Sequence, residues 1–379
     1  MKKKTIYYWS PYLTEIATSK AVINSAYSLK KYFQKYETVI IDSMGEFSNK
    51  YKEINEKKIS LLKLSKVNFV PFLPKHGKIN SRISYLIIFI ASFFPLIKLL
   101  RNKKPDFLVI HLITSLPLIL FGLFNFKTKC ILRISGFPIM SKVRKTLWKI
   151  LLKKVYMVTC PTQGTYNYMQ SLKIVDNSKI KLLHDPVICI RDISKEDHPV
   201  KYKDYAIAAG RFTKQKNFSF LIDSFKTLVK KHTDFTLLII GNGEEKKKLQ
   251  CNINDSGLQG NIKLIPFQEN IFPYFRNSKC FFLSSLWEDP GFVLLEAAYS
   301  RSFIISSRCP NGPEEIIGND ECGLLYNTNN QKQFLEKVES FLKMDDKEIM
   351  IKKKNAIKKS KDFSIFHHAK AFDILLGAQ

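Results

Sequence analysis

Apolar runs alternate with amphipathic stretches along both halves of the chain. In the first half, the apolar runs predict strands at 4–9, 37–42, 67–72, 106–111, 129–134, 155–160 and 180–183. In the second half, they predict strands at 204–209, 235–241, 261–265, 279–284, 302–306 and 322–326. Strands that alternate with helices are typical of parallel α/β layers. The pattern therefore predicts an α/β protein with two Rossmann-like sheets.

A break in this pattern separates the two halves. Residues 184–204 contain prolines and clustered charges, and 379 residues suffice for about two domains. We predict an N-terminal domain at 1–190, a second domain at 191–360 and a C-terminal segment at 361–379. Open α/β sheets bind ligands at the carboxyl ends of their strands, so we expect the site in a cleft between two sheets that face each other.

Two uncharged apolar stretches, 83–97 and 112–126, are shorter than the roughly 20 residues that span a bilayer. We expect buried helices there. Polar residues soon follow the first apolar run, which does not fit a signal peptide, so we expect a cytoplasmic protein. The seven cysteines are scattered and include no Cys-x-x-Cys pair, which argues against a disulfide framework or a zinc site.

The net charge of +28 is concentrated in the first half. Residues 1–190 contain 32 Lys and Arg against 9 Asp and Glu, whereas residues 191–379 contain 29 against 24. A lysine-rich composition can raise the total charge, but the asymmetry points to an anionic partner of the first half. A membrane surface and a nucleic acid both fit this description.

The segment 284–301, SSLWEDPGFVLLEAAYSR, reads as a corner between a strand and a helix. Gly291 would let the backbone approach a ligand closely. The free amides of Gly291, Phe292 and Val293 at the helix start would form an anion site that suits a diphosphate.

Two glutamates, Glu288 and Glu296, flank this corner. A carboxylate repels phosphate but accepts hydrogen bonds from hydroxyl groups, so the pair suits the hydroxyls of a sugar and a ribose. Acidic residues near a helix start are also favourable without any ligand, which is the alternative explanation.

Two further loops follow predicted strands of the second half. Arg211 and Lys216 lie in a polar loop after the strand at 204–209, where two cations suit an anion. Gly241 and Gly243 come at the end of the next strand, where absent side chains would admit a ligand.

These motifs, in their order, resemble those of family 4 retaining glycosyltransferases: GRFTKQKN, IIGNGEEKKKL, the Glu-x7-Glu of EDPGFVLLE, and CPNGPEEII followed by ECGLLY. The resemblance covers residues 204–330, and the first half only by pattern. It implies the GT-B fold, with two Rossmann-like domains that face each other across a cleft. The final stretch DFSIFHHAKAFDILL resembles the closing helix of this family, which crosses back to the first domain.

The resemblance also implies roles for the motif residues. Arg211 and Lys216 would neutralise the donor diphosphate, Glu288 would bind the transferred sugar, and Glu296 would bind the ribose. The implied reaction is transfer from a nucleoside diphosphate sugar, with UDP-sugar favoured, and with retention of the anomeric configuration. Because the chain lacks Asp-x-Asp and the two cations can replace a metal, we expect neither a metal nor a cofactor.

The first half departs from the family pattern. No glycine precedes Gly45, and where relatives often present a histidine after the strand at 129–134, this chain has Arg133, Ser135 and Gly136. His111, at the end of DFLVIH, is the nearest histidine. We take Arg133, Ser135, Gly136 and His111 as candidates for binding the acceptor. The alternative explanation is that His111 is simply a polar residue at the end of a strand, with its side chain hydrogen-bonded to the backbone.

A basic helix is predicted at 141–155, with four lysines on one face: Lys142, Lys145, Lys149 and Lys153. We expect Val143, Leu147, Ile150 and Leu151 to pack on the first sheet, and Trp148 to lie near the exposed cations. Such a helix suits docking on the anionic inner face of the cell membrane. A solvated helix face is the alternative.

The favoured function is assembly of bacterial surface polysaccharide or lipopolysaccharide on a glycan or lipid-linked acceptor. Three alternatives remain open. A GT-B sugar-nucleotide epimerase would turn over the donor without an acceptor, and a noncatalytic GT-B subunit would have lost donor-site residues. A nucleic-acid-binding protein would explain the basic half, but the sequence contains no recognisable base-stacking module or recognition helix, so no nucleic acid partner is expected.

Overall fold

The computed structural model describes residues 3–13, 17–74, 78–138, 140–193 and 200–377. The chain divides into two units. The first unit is Met1–Val187 together with Ile365–Gln379, and the second unit is Ile188–Ser364. Residues 361–364 therefore stay with the second unit, where Ser364 pairs with Ile188 in an isolated bridge.

The first unit contains a seven-stranded sheet. Its strands are β1 (Lys4–Trp9), β2 (Tyr36–Asp42), β3 (Ser60–Lys63), β4 (Phe107–Ile110), β5 (Lys129–Arg133), β6 (Met157–Cys160) and β7 (Ile180–Leu182). Its helices before the unit boundary are α1 (Ala17–Tyr32), α2 (Tyr51–Glu56), α3 (Lys78–Lys103), α4 (Ser115–Leu123), α5 (Lys142–Leu151) and α6 (Gln163–Leu172). The strands pair in parallel in the order β3-β2-β1-β4-β5-β6-β7.

The second unit contains a six-stranded parallel sheet. Its strands are β8 (Tyr205–Ala209), β9 (Thr236–Ile240), β10 (Ile262–Ile265), β11 (Cys280–Leu283), β12 (Phe303–Ser307) and β13 (Leu324–Tyr326), in the order β10-β9-β8-β11-β12-β13. Its helices are α7 (Ile190–Ile193), α8 (Phe218–Leu228), α9 (Lys246–Asp255), α10 (Phe272–Arg276), α11 (Phe292–Tyr299), α12 (Pro313–Ile317), α13 (Gln331–Lys343) and α14 (Asp346–Ser360). Both sheets are of the Rossmann type, as predicted.

The prediction of a strand at 67–72 is wrong, whereas the other predicted strands agree within two residues at each end. β3 instead pairs with β2 in the register Val39 with Ser60. Residues 70–72 form a 3-10 turn that contains Pro71, which has no amide hydrogen to donate to a neighbouring strand. The apolar composition of residues 67–72 therefore predicted the edge strand at the wrong place, since the edge strand is β3.

The last helix, α15 (Ile365–Gly377), packs on the first unit, as predicted for the closing helix. Phe372 lies in the same apolar core as Val22 of α1 and Tyr8 of β1. The hydroxyl of Tyr36 donates to Asp373 Oδ1 at 2.6 Å, and Lys35 pairs with the same carboxylate at 2.7 Å. Apolar burial and this ion pair hold the end of the chain on the first sheet.

Helices α3, α4 and α5 cover the other face of the first sheet, where Leu96, Leu118 and Leu151 share one core with Trp9 and Leu108. The prediction of a buried helix is confirmed for α4, most of whose side chains are buried. It is wrong for 83–97, because α3 leaves a row of large apolar side chains exposed. By length and composition, the segment Ser81–Lys103 could cross a membrane, and only a third of it is buried.

The orientation predicted for α5 is wrong for three of its four apolar residues and right for Leu151, which is buried. Trp148 is buried against the core at 7 % exposure, whereas Val143, Leu147 and Ile150 are exposed. The guanidinium of Arg144 lies 4.8 Å from the centroid of the Trp148 ring and makes a cation–π contact with it. The large indole gains more from burial than the smaller aliphatic side chains, so the helix turns this face inward.

Candidate functional site

Loops at the carboxyl ends of neighbouring strands form the candidate site of the second unit. β9, β8, β11 and β12 are adjacent and parallel, so the loops that follow them lie at the same edge of the sheet. The predicted residues of the second half follow β8, β9 and β11. The sheet order therefore brings three separate sequence motifs to one edge.

Lys216 and Glu288 form a buried ion pair at this edge. The Lys216 ammonium lies 2.5 Å from Glu288 Oε1, and the two side chains are 14 % and 5 % exposed. Ser285 donates a hydrogen bond to the same carboxylate oxygen. Two residues that the resemblance assigned to different parts of a ligand therefore form an ion pair with each other.

The loop after β8 is tied to the loop after β11. Ser284 donates to the carbonyl of Lys216 at 2.8 Å, and the amide of Leu286 donates to the carbonyl of Gln215 at 2.8 Å. The Gln215 side chain donates in turn to the carbonyl of Trp287 at 2.8 Å. These bonds hold the Lys216 backbone in place, so little ordering is needed when an anion replaces Glu288 as its partner.

Gly210 is a site residue that sequence reasoning missed. A Cβ atom at this position would lie 2.9 Å from Cε and 3.2 Å from Cδ of Lys216, and its φ is +148°. Because Gly210 has no side chain, the aliphatic part of the Lys216 side chain has room to pass and reach Glu288. The Gly-Arg pair at the end of a predicted strand was the available signal.

Gly241 and Gly243 have a structural role that the sequence analysis did not predict. A Cβ atom on Gly241 would meet the carbonyl oxygen of Gly210 at 1.9 Å, and one on Gly243 would meet that of Phe212 at 2.5 Å. Both residues have positive φ values. These glycines let the loops after β8 and β9 pack backbone to backbone, and this close packing fixes the base of the site.

Arg211 is exposed and forms no ion pair or side-chain hydrogen bond with any residue in the described ranges. It follows β8 directly, five residues before Lys216. A guanidinium in this state keeps all its donors for a ligand, and its planar fork suits phosphate oxygens.

The start of α11 supplies further donors. Gly291, with φ of +98°, caps the helix, and the amides of Leu294 and Leu295 donate to its carbonyl. The amides of Gly291, Phe292 and Val293 precede these bonds, so they are the donors that a helix start leaves without an intrahelical partner.

Glu288 and Glu296 differ in their surroundings. The backbone of Glu288 is fixed by Pro310 and Asn311, since its amide donates to the carbonyl of Pro310 at 3.1 Å and Asn311 donates to its carbonyl at 3.2 Å. Glu296 lies in the second turn of α11 and is half-buried.

Burial, together with the nearby charge of Glu288, raises the pKa of the Cys309 thiol to about 12, which keeps this thiol protonated at neutral pH.

The acceptor-side candidates of the first unit lie after β4 and near the end of β5. The ring of His111 is buried, and neither ring nitrogen has a hydrogen-bond partner within the described residues. This finding contradicts the alternative of a ring bonded to backbone. Burial, with smaller contributions from the Arg133 and His368 charges, holds the pKa of His111 well below its usual range, so the ring is neutral at pH 7.

Arg133 is engaged within the first unit. Its Nε donates to Asp185 Oδ1 at 3.1 Å, another guanidinium nitrogen pairs with Asp185 Oδ2, and a third donates to Ser135. Arg133 and Asp185 are both buried, whereas Ser135 is exposed and Gly136 has a φ of +62°. Sequence reasoning missed Asp185, which lies in the loop that follows the last strand of the sheet.

Two Rossmann-type sheets, with the last helix returned to the first unit, define the GT-B class of glycosyltransferase folds. Residues 190–361 match the family described as glycosyl transferases group 1. Among the described residues, no group of three or more His, Cys, Asp and Glu side chains could hold a metal ion.

Three similar proteins illustrate the range of the comparison. An uncharacterized glycosyltransferase of Methanocaldococcus jannaschii is 31 % identical over 59 % of this chain and 61 % of its own length. A Campylobacter jejuni N-acetylgalactosamine-N,N'-diacetylbacillosaminyl-diphospho-undecaprenol 4-alpha-N-acetylgalactosaminyltransferase is 26 % identical over 62 % of this chain and 64 % of its own length. The chain thus spans less than two thirds of either relative. The structure of Anabaena HepE with UDP and glucose is 13 % identical, covers 99 % of this chain and 100 % of its own, and has a TM-score of 0.72.

Proposed function

We propose that this protein is a retaining glycosyltransferase that transfers a sugar from a UDP-sugar to a glycan or lipid-linked acceptor. The setting is the synthesis of bacterial surface polysaccharide or lipopolysaccharide. The Lys216–Glu288 pair at the start of α11 carries this proposal, because it combines a cation for phosphate with an acceptor for sugar hydroxyls. The UDP of HepE and the diphospho-undecaprenol substrate in the name of the Campylobacter relative support the donor and acceptor classes.

In the proposed mechanism, the donor diphosphate lies against Lys216, Arg211 and the amides at the start of α11. Glu288 then accepts hydrogen bonds from the transferred sugar, and Glu296 accepts them from the ribose. As the bond from the anomeric carbon to the diphosphate breaks, its electron pair moves to the leaving oxygen. The fixed cations and amides stabilise that charge without reorganisation, which is the main source of rate acceleration.

The acceptor hydroxyl attacks the anomeric carbon on the face from which the diphosphate leaves, so that the configuration is retained. Its proton passes to the departing phosphate oxygen. The buried, charge-free ring of His111 serves the acceptor side through its unpartnered nitrogens. A sugar-nucleotide epimerase would use the same donor contacts but would need no acceptor.

Slow donor hydrolysis in the presence of EDTA tests the class of reaction and the metal-free mechanism together. We expect the protein to hydrolyse one or more members of a UDP-sugar and GDP-sugar panel, and to do so equally well after EDTA treatment, because Lys216 and Arg211 supply the positive charge. Release of UDP or GDP, with the freed sugar identified by its anomer, is the measurement. Loss of activity in EDTA that Mg²⁺ or Mn²⁺ restores would contradict the metal-free mechanism, and a 2-epimer product without acceptor would favour the epimerase.

His111→Leu is expected to lower transfer at least about tenfold without lowering the melting temperature. A neutral buried ring with two unsatisfied nitrogens costs stability, so an apolar side chain of similar size relieves that cost. Transfer kinetics and thermal unfolding are measured on the same preparation. A large drop in melting temperature with unchanged transfer per folded molecule would assign His111 a structural role instead.

We further propose that the first unit docks on the anionic inner face of the cell membrane, which keeps the protein near a lipid-linked acceptor. Four lysines in or directly after α5 are exposed and support this proposal: Lys142, Lys145, Lys149 and Lys153. Each such charge near an anionic leaflet contributes about 1 kcal/mol, so four of them give reversible docking.

A further inference from the structure

A row of exposed apolar side chains runs along α3. We call it the α3 stripe, and its members are Ile83, Leu86, Ile87, Ile90 and Phe94. Ile90 is 63 % and Phe94 is 75 % exposed, although both are large and apolar. Their spacings of three or four residues place these side chains on one face of the helix. A contiguous exposed apolar face of this length marks an interaction surface in a folded protein.

The opposite side of α3 is anchored in the first unit along its length. Near its start, Ile88 packs with Met44 and Leu73, and Ser84 donates to the carbonyl of Pro74 at 2.7 Å. Further on, its buried leucines belong to the main core of the sheet. The helix would expose this core if it left the protein to span a bilayer. It can therefore lie on a membrane but cannot cross one while the unit stays folded.

The neighbouring helices extend the same outer surface. α4 packs beside both α3 and α5, and all three cover one face of the first sheet. α5 points Val143 outward at 79 % exposure, together with Leu147 and Ile150. Exposed lysines alternate with these apolar residues along α5. The outer side of this helix layer is thus both apolar and cationic.

The charge around the α3 stripe selects its partner. Residues 57–175 contain 21 Lys and Arg but a single acidic residue, Asp106. A second copy of the chain would bring the same charge against itself, which opposes a self-association through this face. An anionic bilayer has an apolar interior that can take up the α3 stripe, and its negative headgroups can pair with the surrounding cations.

We propose that the α3 stripe inserts into the interfacial layer of an anionic bilayer, with α3 parallel to the membrane plane. The lysines of α5 then lie at the headgroups and steer the protein to the surface, while the α3 stripe provides most of the affinity. This proposal deepens the docking proposed above and changes which helix holds the protein on the lipid. Donor hydrolysis needs no membrane, so the two proposals can fail separately.

Vesicle sedimentation tests the insertion. We compare the parent protein with the triple variant Leu86→Ser, Ile90→Ser, Phe94→Ser on vesicles of phosphatidylglycerol and phosphatidylcholine. The matched control replaces three exposed apolar residues of the second unit: Leu342→Ser, Met350→Ser, Ile351→Ser. We expect the α3 variant to lose at least about tenfold in partition coefficient, because it removes the three most exposed side chains of the α3 stripe.

The control variant is expected to bind like the parent, and all three proteins to hydrolyse donor at the same rate. Replacing Lys142, Lys145 and Lys149 by Gln should reduce the salt sensitivity of binding but leave residual attachment through the α3 stripe. Equal binding by the α3 variant and the parent would overturn the proposal.

Depth is measured with Phe94→Trp and lipids brominated on their acyl chains. The added indole should be quenched on binding, whereas Met350→Trp in the second unit should not be. Absence of quenching at position 94 would overturn insertion even if the protein still pelleted. A lipid-free dimer that the triple serine variant dissociates would identify a second copy, and not a bilayer, as the partner.

Discussion

Lys216→Ala is expected to lower both donor hydrolysis and sugar transfer by about a thousandfold. The variant removes the cation nearest to Glu288 and, in the proposed mechanism, the main electrostatic partner of the leaving diphosphate. Loss of one fixed donor to a developing oxyanion costs about 100- to 1,000-fold in enzymes, and here a full charge is lost. Steady-state release of UDP, compared with the parent at saturating donor, measures the effect.

Stability must be separated from chemistry in this variant, because Glu288 remains buried without its cation. Breaking one side of a buried pair costs about 3–5 kcal/mol, so the melting temperature should fall. The double variant Lys216→Met, Glu288→Gln should regain stability but stay inactive. Lys214→Ala, a change of an exposed lysine in the same loop, should leave both properties intact. A double variant that transfers sugar would contradict the assigned role.

Glu288→Ala is expected to lose transfer while UDP affinity stays the same or rises. In the proposed complex this carboxylate binds the transferred sugar and not the nucleotide, and its removal frees Lys216 for the diphosphate. Glu296→Ala should instead weaken UDP binding about tenfold, the effect of roughly 1.4 kcal/mol for a lost hydrogen bond from ribose to a carboxylate.

Titration calorimetry with UDP, run beside transfer assays, separates the two glutamates. Glu336→Ala on α13 is the matched control, because it removes an exposed carboxylate far along the chain from the site loops. The reverse assignment would show that the roles given to the two glutamates are wrong, and parent-like binding and transfer in both variants would show that the corner around Gly291 does not hold a nucleotide sugar.

The site loops could be predicted because each follows a short apolar run that ends in glycine or a charge. β8 ends at Ala209 before Gly210, and β11 ends at Leu283 before the WEDPG corner. Such boundaries are local, since a strand ends where side chains no longer suit a buried sheet. Gly210 escaped prediction because its role depends on the path of the Lys216 side chain, which is not encoded in neighbouring residues.

Two predictions about helix faces failed for a common reason. The periodicity of α5 correctly indicated an amphipathic helix, but Trp148 and not Val143 turned to the core. The apolar run of α3 predicted a buried helix, yet Ile90 and Phe94 are exposed. A sequence pattern shows which residues share a face. It does not show which face the rest of the protein covers.

The sequence by itself determined the class of fold, because parallel α/β layers bury both the apolar runs and the apolar faces of the amphipathic stretches that alternate with them. It also indicated which residues of the second unit to propose for the chemistry. Only the tertiary structure decided that Lys216 and Glu288, 72 positions apart, meet as a buried pair. The physical reason is that pairing of β8 with β11 is a long-range choice of sheet order, and no local propensity specifies it.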